Sequence, residues 1–232
     1  MREIAPDLFL LSGFPPAGFN IYLIRSSEGT VLVDTSTRHA RRRILRQLPG
    51  KLDAIFITHA HVDHAGAMHA VAEATGAPVW ASTGDADALE GKAPDPLPAK
   101  YQKHPANRLF AGWWKDKHPV ARRLTEGEKV AGFEVIAFPG HTPGQIGLWR
   151  ESDRTVICAD TMRSVNVWTG LPQVGEMPKY FTCDVAEARR SIWKLAALEA
   201  RTVCFGHGRP FTKDAAAKVT KFAETLPPAP PR

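Results

Sequence analysis

Short apolar runs alternate with amphipathic stretches through the first third of the chain. Leu8 to Leu11, Asn20 to Arg25 and Thr30 to Val33 read as strands, and Ala54-Ile55-Phe56-Ile57-Thr58 as a buried one. Between them, Arg38 to Leu48 carries a run of arginines on one side and Ile44, Leu45 and Leu48 on the other, the pattern of a surface helix. Met68, Val71 and Ala72 recur at helical spacing and predict a helix from about Ala65 to Thr75, with Gly76 as its stop. Pro78 to Ala81 is the next strand. Strands alternating with helices predict sheets covered by helices rather than an all-β sandwich.

From Gly84 to Arg123 the periodicity is lost. Proline recurs, and Tyr101, Phe110, Trp113 and Trp114 are scattered through the stretch. A connection this long inside a domain is usually functional or disordered, and its aromatics argue against disorder. Two readings stay open: a partly helical, lid-like insert of about residues 84–123, or a segment packed on a sheet edge or a dimer partner. Beyond it, Gly132 to Phe138, Ile146 to Trp149 and Thr155 to Ala159 read as strands, and Met162 to Cys183 as irregular. Asp184 is placed to cap a helix through Leu198. Thr202 to Phe205 is a further strand, and a last helix spans about Lys213 to Thr225. Residues 1–226 are expected to form one domain, followed by a flexible proline-rich tail at 227–232.

Composition narrows the class. The chain has 232 residues, 44% of them hydrophobic, enough for a sizeable core. No apolar run reaches the roughly 20 residues of a membrane span, and the start shows no basic-then-apolar leader, so a cytoplasmic protein is expected. Three separated cysteines, Cys158, Cys183 and Cys204, predict reduced thiols. The net charge of +6 favours anionic partners but is too mild to imply nucleic acid. A small-molecule substrate is expected instead, and a homodimer is left open.

The candidate chemistry sits at His59-Ala60-His61-Val62-Asp63-His64, four potential metal ligands in six residues directly after a strand. Alternate strand residues point the same way, so His59 and His61 can meet one ion. Asp63 and His64 fall at the strand-to-helix turn and can face a second. His141, Asp160 and His207 each follow a short β-like run and are flanked by glycine, proline or a turn-forming residue. Seven nitrogen and oxygen ligands at strand ends describe a dinuclear centre. Asp34 closes another strand, where an aspartate is suited to cap the helix after it.

The HxHxDH motif, followed by a glycine-flanked His, an Asp and a further glycine-flanked His, resembles the metallo-β-lactamase superfamily from about residue 4 to 212. The resemblance implies an αββα sandwich of two mixed β-sheets flanked by helices. It implies that His59, His61 and His141 hold one divalent ion, that Asp63, His64 and His207 hold another, and that Asp160 bridges them. Asp34 matches the family's acidic residue behind the metal loop. Zinc is the first expectation, and iron, manganese and nickel suit the same ligands. Two such ions share a solvent molecule and lower its pKa toward about 7, with Asp63 and Asp160 as the catalytic carboxylates.

The expected reaction is hydrolysis of a small-molecule carbonyl compound: a lactone, thioester or related ester, with β-lactams as promiscuous substrates. His61 stands where flavin-linked di-iron members carry Glu, which favours hydrolysis. The alternatives are a phosphodiesterase or nuclease of the same fold, and a mononuclear iron enzyme like the persulfide dioxygenases. Arg163, three residues after Asp160, either grips a substrate carboxylate or phosphate or pairs with Glu176 or Asp184. Trp168, Tyr180, Trp113 and Trp114 either wall an acyl group or serve as core or dimer contacts.

Overall fold

Two β-sheets lie face to face, and helices cover their outer surfaces. In this computed structural model, which describes residues 1–13, 18–102 and 117–227, the first sheet runs in chain order. Its strands are β1 (Arg2–Ala5), β2 (Leu8–Leu10), β3 (Tyr22–Ser26), β4 (Gly29–Val33), β5 (Ala54–Ile57), β6 (Val79–Ser82) and β7 (Val120–Leu124). β1 to β4 pair antiparallel, and β4 to β7 are parallel. The second sheet is built from β8 (Lys129–Val130), β9 (Phe133–Ala137), β10 (Ile146–Arg150) and β11 (Thr155–Ala159). After a separate hairpin, β12 (Arg163–Val165) with β13 (Pro172–Gly175), strand β14 (Thr202–Phe205) joins it parallel to β11.

The alternation within each strand decides the layers. Val31 and Val33 of β4 and Ala54 and Phe56 of β5 face inward, where they meet Phe133, Val135, Leu148 and Ile157 of the second sheet. Leu32, Ile55 and Ile57 face outward, onto Ile44 of α1 (Arg41–Leu45), Met68 and Val71 of α3 (Met68–Thr75) and Leu89 of α4 (Thr83–Leu89). The short α2 (Val62–Ala65) precedes α3, and α5 (Ala99–Gln102) follows α4. On the far side, Val156, Cys158 and Val203 pack against Ile192 and Leu195 of α6 (Val185–Ala197) and Val219 of α7 (Ala215–Ala223). The order is helix, sheet, sheet, helix, as expected. Each fully buried Phe or Leu contributes about 2–3 kcal/mol of transfer free energy.

Several expected boundaries move. The helix from Arg38 is a 3₁₀ turn (Arg38–Ala40) followed by only five residues of α1. The helix expected from Ala65 breaks, because the Ala67 amide bonds to the Ser36 carbonyl at 3.3 Å instead of continuing the ladder. α4 and β7 overlap the two ends of residues 84–123, and β7 forms the sheet edge beside β6. The stretch read as irregular after Met162 contains the β12–β13 hairpin. Asp184 caps α6 as expected, accepting from the amides of Ala186 and Glu187 at 2.9 Å. Residues 228–232 of the expected tail lie outside the described residues. Among the described residues, no helix is long and apolar enough to cross a membrane.

Candidate metal centre

One end of the sandwich gathers the ligands. Asp34 follows β4, His59 follows β5, His141 comes four residues after β9, Asp160 follows β11 and His207 comes two after β14. Backbone bonds lock the two sheets together there: Ile146 donates to the Thr58 carbonyl at 3.0 Å and Asn20 to the Gly206 carbonyl at 2.9 Å. The buried Asn20 side chain also clamps the His207 turn, donating to Phe205 and Gly208 carbonyls at 2.9 and 2.6 Å. Asn20 was read from sequence as a strand residue only, since nothing near it signals a contact 185 residues away.

The seven candidates converge as two adjacent triads with Asp160 between them. His59, His61 and His141 form one; Asp63, His64 and His207 form the other; in each, one ligand atom per residue lies within 4.8 Å of the rest. Asp160 stands between them. Its Oδ2 is 3.4 Å from His141 Nε2 in the first triad and 3.1 Å from His207 Nε2 in the second. Its Oδ1 lies 3.4 Å from His64 Nε2. Asp63 Oδ2 is 3.2 Å from His207 Nε2.

Outer partners select which ring nitrogen faces inward. His64 Nδ1 donates to Asp34 Oδ2 at 2.7 Å, leaving Nε2 toward the centre. Thr58 donates its hydroxyl to the same oxygen at 2.8 Å and its amide to Oδ1 at 2.8 Å. That hydroxyl can therefore accept from His59 Nδ1, 3.0 Å away, which again leaves Nε2 inward. His207 Nδ1 donates to the Gly18 carbonyl at 2.6 Å. His61 is turned the other way: Nε2 donates to the Pro96 carbonyl at 3.0 Å, and Nδ1 lies 2.9 Å from His141 Nε2. Asp34 braces the ligands, and it caps no helix: the residue before the 3₁₀ turn is Thr37, with no side-chain cap bond.

These residues fit a pair of cations. His59 Nε2, His64 Nε2 and Asp160 Oδ1 are buried with no hydrogen-bond partner, although buried polar atoms are normally paired. All three aim into the one space the triads share, and a cation is the partner that imidazole nitrogens and a carboxylate oxygen have in common. The electrostatics agree. Burial, reinforced by neighbouring histidines, holds His59 well below the usual imidazole value and His141 at about 3, so both rings present neutral lone pairs. Burial would also lower His64 and His207, but the carboxylates around them win: His64 is raised well above its ordinary value and His207 to about 10. Burial would raise Asp63 and Asp160, and His64 with His207 hold both well below the carboxylate range. Protons here occupy positions that a divalent ion displaces on binding.

A buried carboxylate that the sequence did not single out ties the two ligand loops together. Asp85 in α4 accepts from the Ala60 amide at 2.8 Å, the Thr142 hydroxyl at 2.7 Å and the Gly144 amide at 2.8 Å. Ala60 lies between His59 and His61, and Thr142 follows His141. Gly144 is required here: a Cβ would come within 2.4 Å of the Asp85 amide nitrogen and 2.6 Å of its Oδ1. Asp85→Asn puts a donor where three donors converge. It is expected to cost about 3 kcal/mol, seen as a melting temperature lower by roughly 6–12 °C, with metal affinity weaker by about 10–100-fold. Calorimetry and metal titration check both; unchanged affinity would make Asp85 a fold residue alone.

The expected substrate contacts fare differently. Arg163 does not offer a free fork. Its Nε donates to the Glu176 carbonyl at 2.9 Å and its Nη1 to the Val165 carbonyl and Gln173 side chain at 2.6 and 3.2 Å, which ties it into the β12–β13 hairpin. The Glu176 carboxylate is held by Arg189 instead, at 2.6 and 2.9 Å. Trp168 sits in the hairpin turn, 71% exposed, its ring stacked at 6.3 Å on Phe181. Tyr180 packs edge-on against Phe181 at 4.9 Å. Trp113 and Trp114 lie outside the described residues. A small cavity does open beside the centre, between His141 and Asp160 on one side and Glu176, Met177, Val185 and Ile192 on the other. The segment 84–123 touches the centre through Pro96, whose carbonyl accepts from His61 and from the Cys183 thiol at 3.2 Å.

Two facing sheets and a rim of histidines and aspartates define the class: an αββα protein with a metal centre at one end. Residues 16–207 match the model of the metallo-beta-lactamase superfamily, and the chain belongs to it. It is 29% identical over 231 residues to the probable metallo-hydrolase YflN of Bacillus subtilis, covering 89% of this chain and 87% of that one. It is 26% identical over 194 residues to the hydroxyacylglutathione hydrolase of Rhodospirillum rubrum, covering 81% of this chain but only 61% of that protein. Among solved structures, TTHA1623 in a di-iron-bound form superposes with a TM-score of 0.64 at 30% identity, over 87% of this chain and 93% of that one. The BLEG-1 B3 metallo-beta-lactamase does so with 0.63 at 26% identity, over 88% and 92%. The chain is a metallo-hydrolase of this superfamily.

Proposed function

We propose that this hydrolase cleaves the activated acyl bond of a small molecule, a thioester first and lactones or related esters next, with two divalent ions. The observation that carries the reading is the single Asp160 oxygen within 3.4 Å of a histidine from each triad. That arrangement suits two neighbouring cations and is more than one ion needs. His59, His61 and His141 would hold one ion, Asp63, His64 and His207 the other, and Asp160 both. Bound there, such a pair supplies Lewis acidity and lowers the pKa of a solvent molecule.

The chain's own groups supply the rest. Asp63 is the more exposed carboxylate, at 24% against 2% for Asp160, so it is the one a reacting solvent molecule meets. Asp34 and Thr58 fix the rings of His64 and His59. Met177, Val185 and Ile192 line part of the small cavity beside the centre. The thioester preference draws support from the hydroxyacylglutathione hydrolase relatives, whose name denotes cleavage of an acyl group from a thiol. Zinc is the first ion to test and iron the second, given the similar di-iron-bound structure.

Protein stripped with a chelator should lose turnover on thioesters and lactones, and added zinc, iron or manganese should restore it. Full turnover in the stripped protein would end the reading. Faster cleavage of model phosphodiesters than of any ester, or oxygen uptake with a thiol and one iron per chain, would move it to the phosphodiesterase or the mononuclear alternative.

A further inference from the structure

A second cluster of metal-ligating side chains lies away from this rim. His69 and Glu73 are four residues apart on α3, so both project from one face of the helix. His118, just before β7, meets them: its Nδ1 is 3.2 Å from His69 Nδ1. One ligand atom from each of the three lies within 4.8 Å of the others. None of them belongs to the triads described above.

We propose that His69, Glu73 and His118 form a separate site for a borderline divalent transition cation such as zinc. The spacing is that of shared coordination. Two nitrogens bound to one tetrahedral zinc at about 2.0–2.1 Å stand roughly 3.3 Å apart, close to the observed 3.2 Å. A hydrogen bond between the two rings would give a similar distance but leaves Glu73 without a role. Among the described residues the Glu73 carboxylate makes no salt bridge, so it is available as the third ligand. Two imidazoles and one carboxylate select zinc, nickel or copper over calcium or magnesium, which prefer all-oxygen shells. The two histidines are half-buried and Glu73 is exposed, so solvent can complete the coordination.

The backbone around the site is held in place. α3 is anchored to the core by Met68, Val71 and Ala72, and the His118 amide bonds to the Leu89 carbonyl at 3.3 Å. A cation bound here would clasp α3 to the chain entering β7, where the segment of residues 84–123 rejoins the first sheet.

Equilibrium dialysis against buffered free zinc, with zinc counted per chain, tests the site. Wild-type protein should bind one equivalent more than His69→Ala/His118→Ala. Because it is a difference, this readout does not depend on how many ions the main centre holds or on activity. Glu73→Gln should weaken the weakest-bound equivalent alone, and it serves as the readout if the double variant is poorly folded by circular dichroism. A large excess of magnesium should leave the extra equivalent in place. Equal zinc content in wild type and double variant, or an extra equivalent unaffected by Glu73→Gln, would overturn the proposal and leave the contact as a hydrogen bond.

Discussion

Asp160→Ala is expected to lower hydrolysis by about 1,000-fold or more, equivalent to about 4 kcal/mol of transition-state stabilisation, and to bind one equivalent of metal fewer than the wild type. The reason is geometric. Among the described residues, Asp160 is the one carboxylate within reach of both triads, with oxygens 3.1 to 3.4 Å from His141, His64 and His207. Without it, His207 and His64 lose the strongest of the negative charges around them, and the second ion loses a ligand. Arg163→Ala is the matched control from three residues away. Its guanidinium serves the hairpin, so that variant should keep its metal and most of its kcat. Parallel metal analysis and kinetics on the two proteins separate the cases. Asp160→Ala with the same metal content as the wild type and near-normal kcat would remove Asp160 from the centre.

Gly206→Ala should inactivate the enzyme with much less effect on folding. A Cβ on Gly206 would fall 2.0 Å from Asp160 Oδ1 and 2.6 Å from His64 Cε1. The backbone cannot retreat, because the Gly206 amide bonds to the Ala159 carbonyl and its own carbonyl accepts from Asn20, both at 2.9 Å. The Asp160 and His64 side chains must yield instead. A displacement of about 1 Å at a reacting centre costs about 100-fold in rate, so a loss of at least that size is expected, with the second metal equivalent weakened. Thermal unfolding of the metal-free protein should change much less than activity, since the clash falls on two side chains of the centre and not on the core. A fully active Gly206→Ala protein would show that the carboxylate position is not critical.

The candidates that converge at the rim were legible in the sequence because each marks itself locally. HxHxDH is contiguous, and His141, Asp160 and His207 each stand at a turn after an apolar run. From the residues alone, strands alternating with helices gave sheets covered by helices, and strands such as Ala54–Ile57 that are apolar throughout are buried on both faces; the two-sheet sandwich itself came from the family resemblance. Asp85 was not legible. Its three donors come from residues 25 to 59 positions away, and no local pattern announces a contact of that range. β7 was hidden in the same way, since Val120–Leu124 alternates half-buried with exposed residues at a sheet edge, and the prolines before it suggested a loop. Arg163 misled by position. Being three residues past a ligand placed it near the centre in sequence, whereas the β12–β13 hairpin claims its guanidinium. The orientation of His61, with Nδ1 inward, depends on Pro96 from another segment and could not be inferred from spacing.

The central claim is that two cations sit side by side at this rim, sharing Asp160. Anomalous diffraction from crystals grown with zinc, recorded on either side of its absorption edge, tests it most directly. Two peaks are predicted at the rim, one among His59, His61 and His141 and one among Asp63, His64 and His207, each in contact with the Asp160 carboxylate. A single peak at the rim, or none, would contradict it.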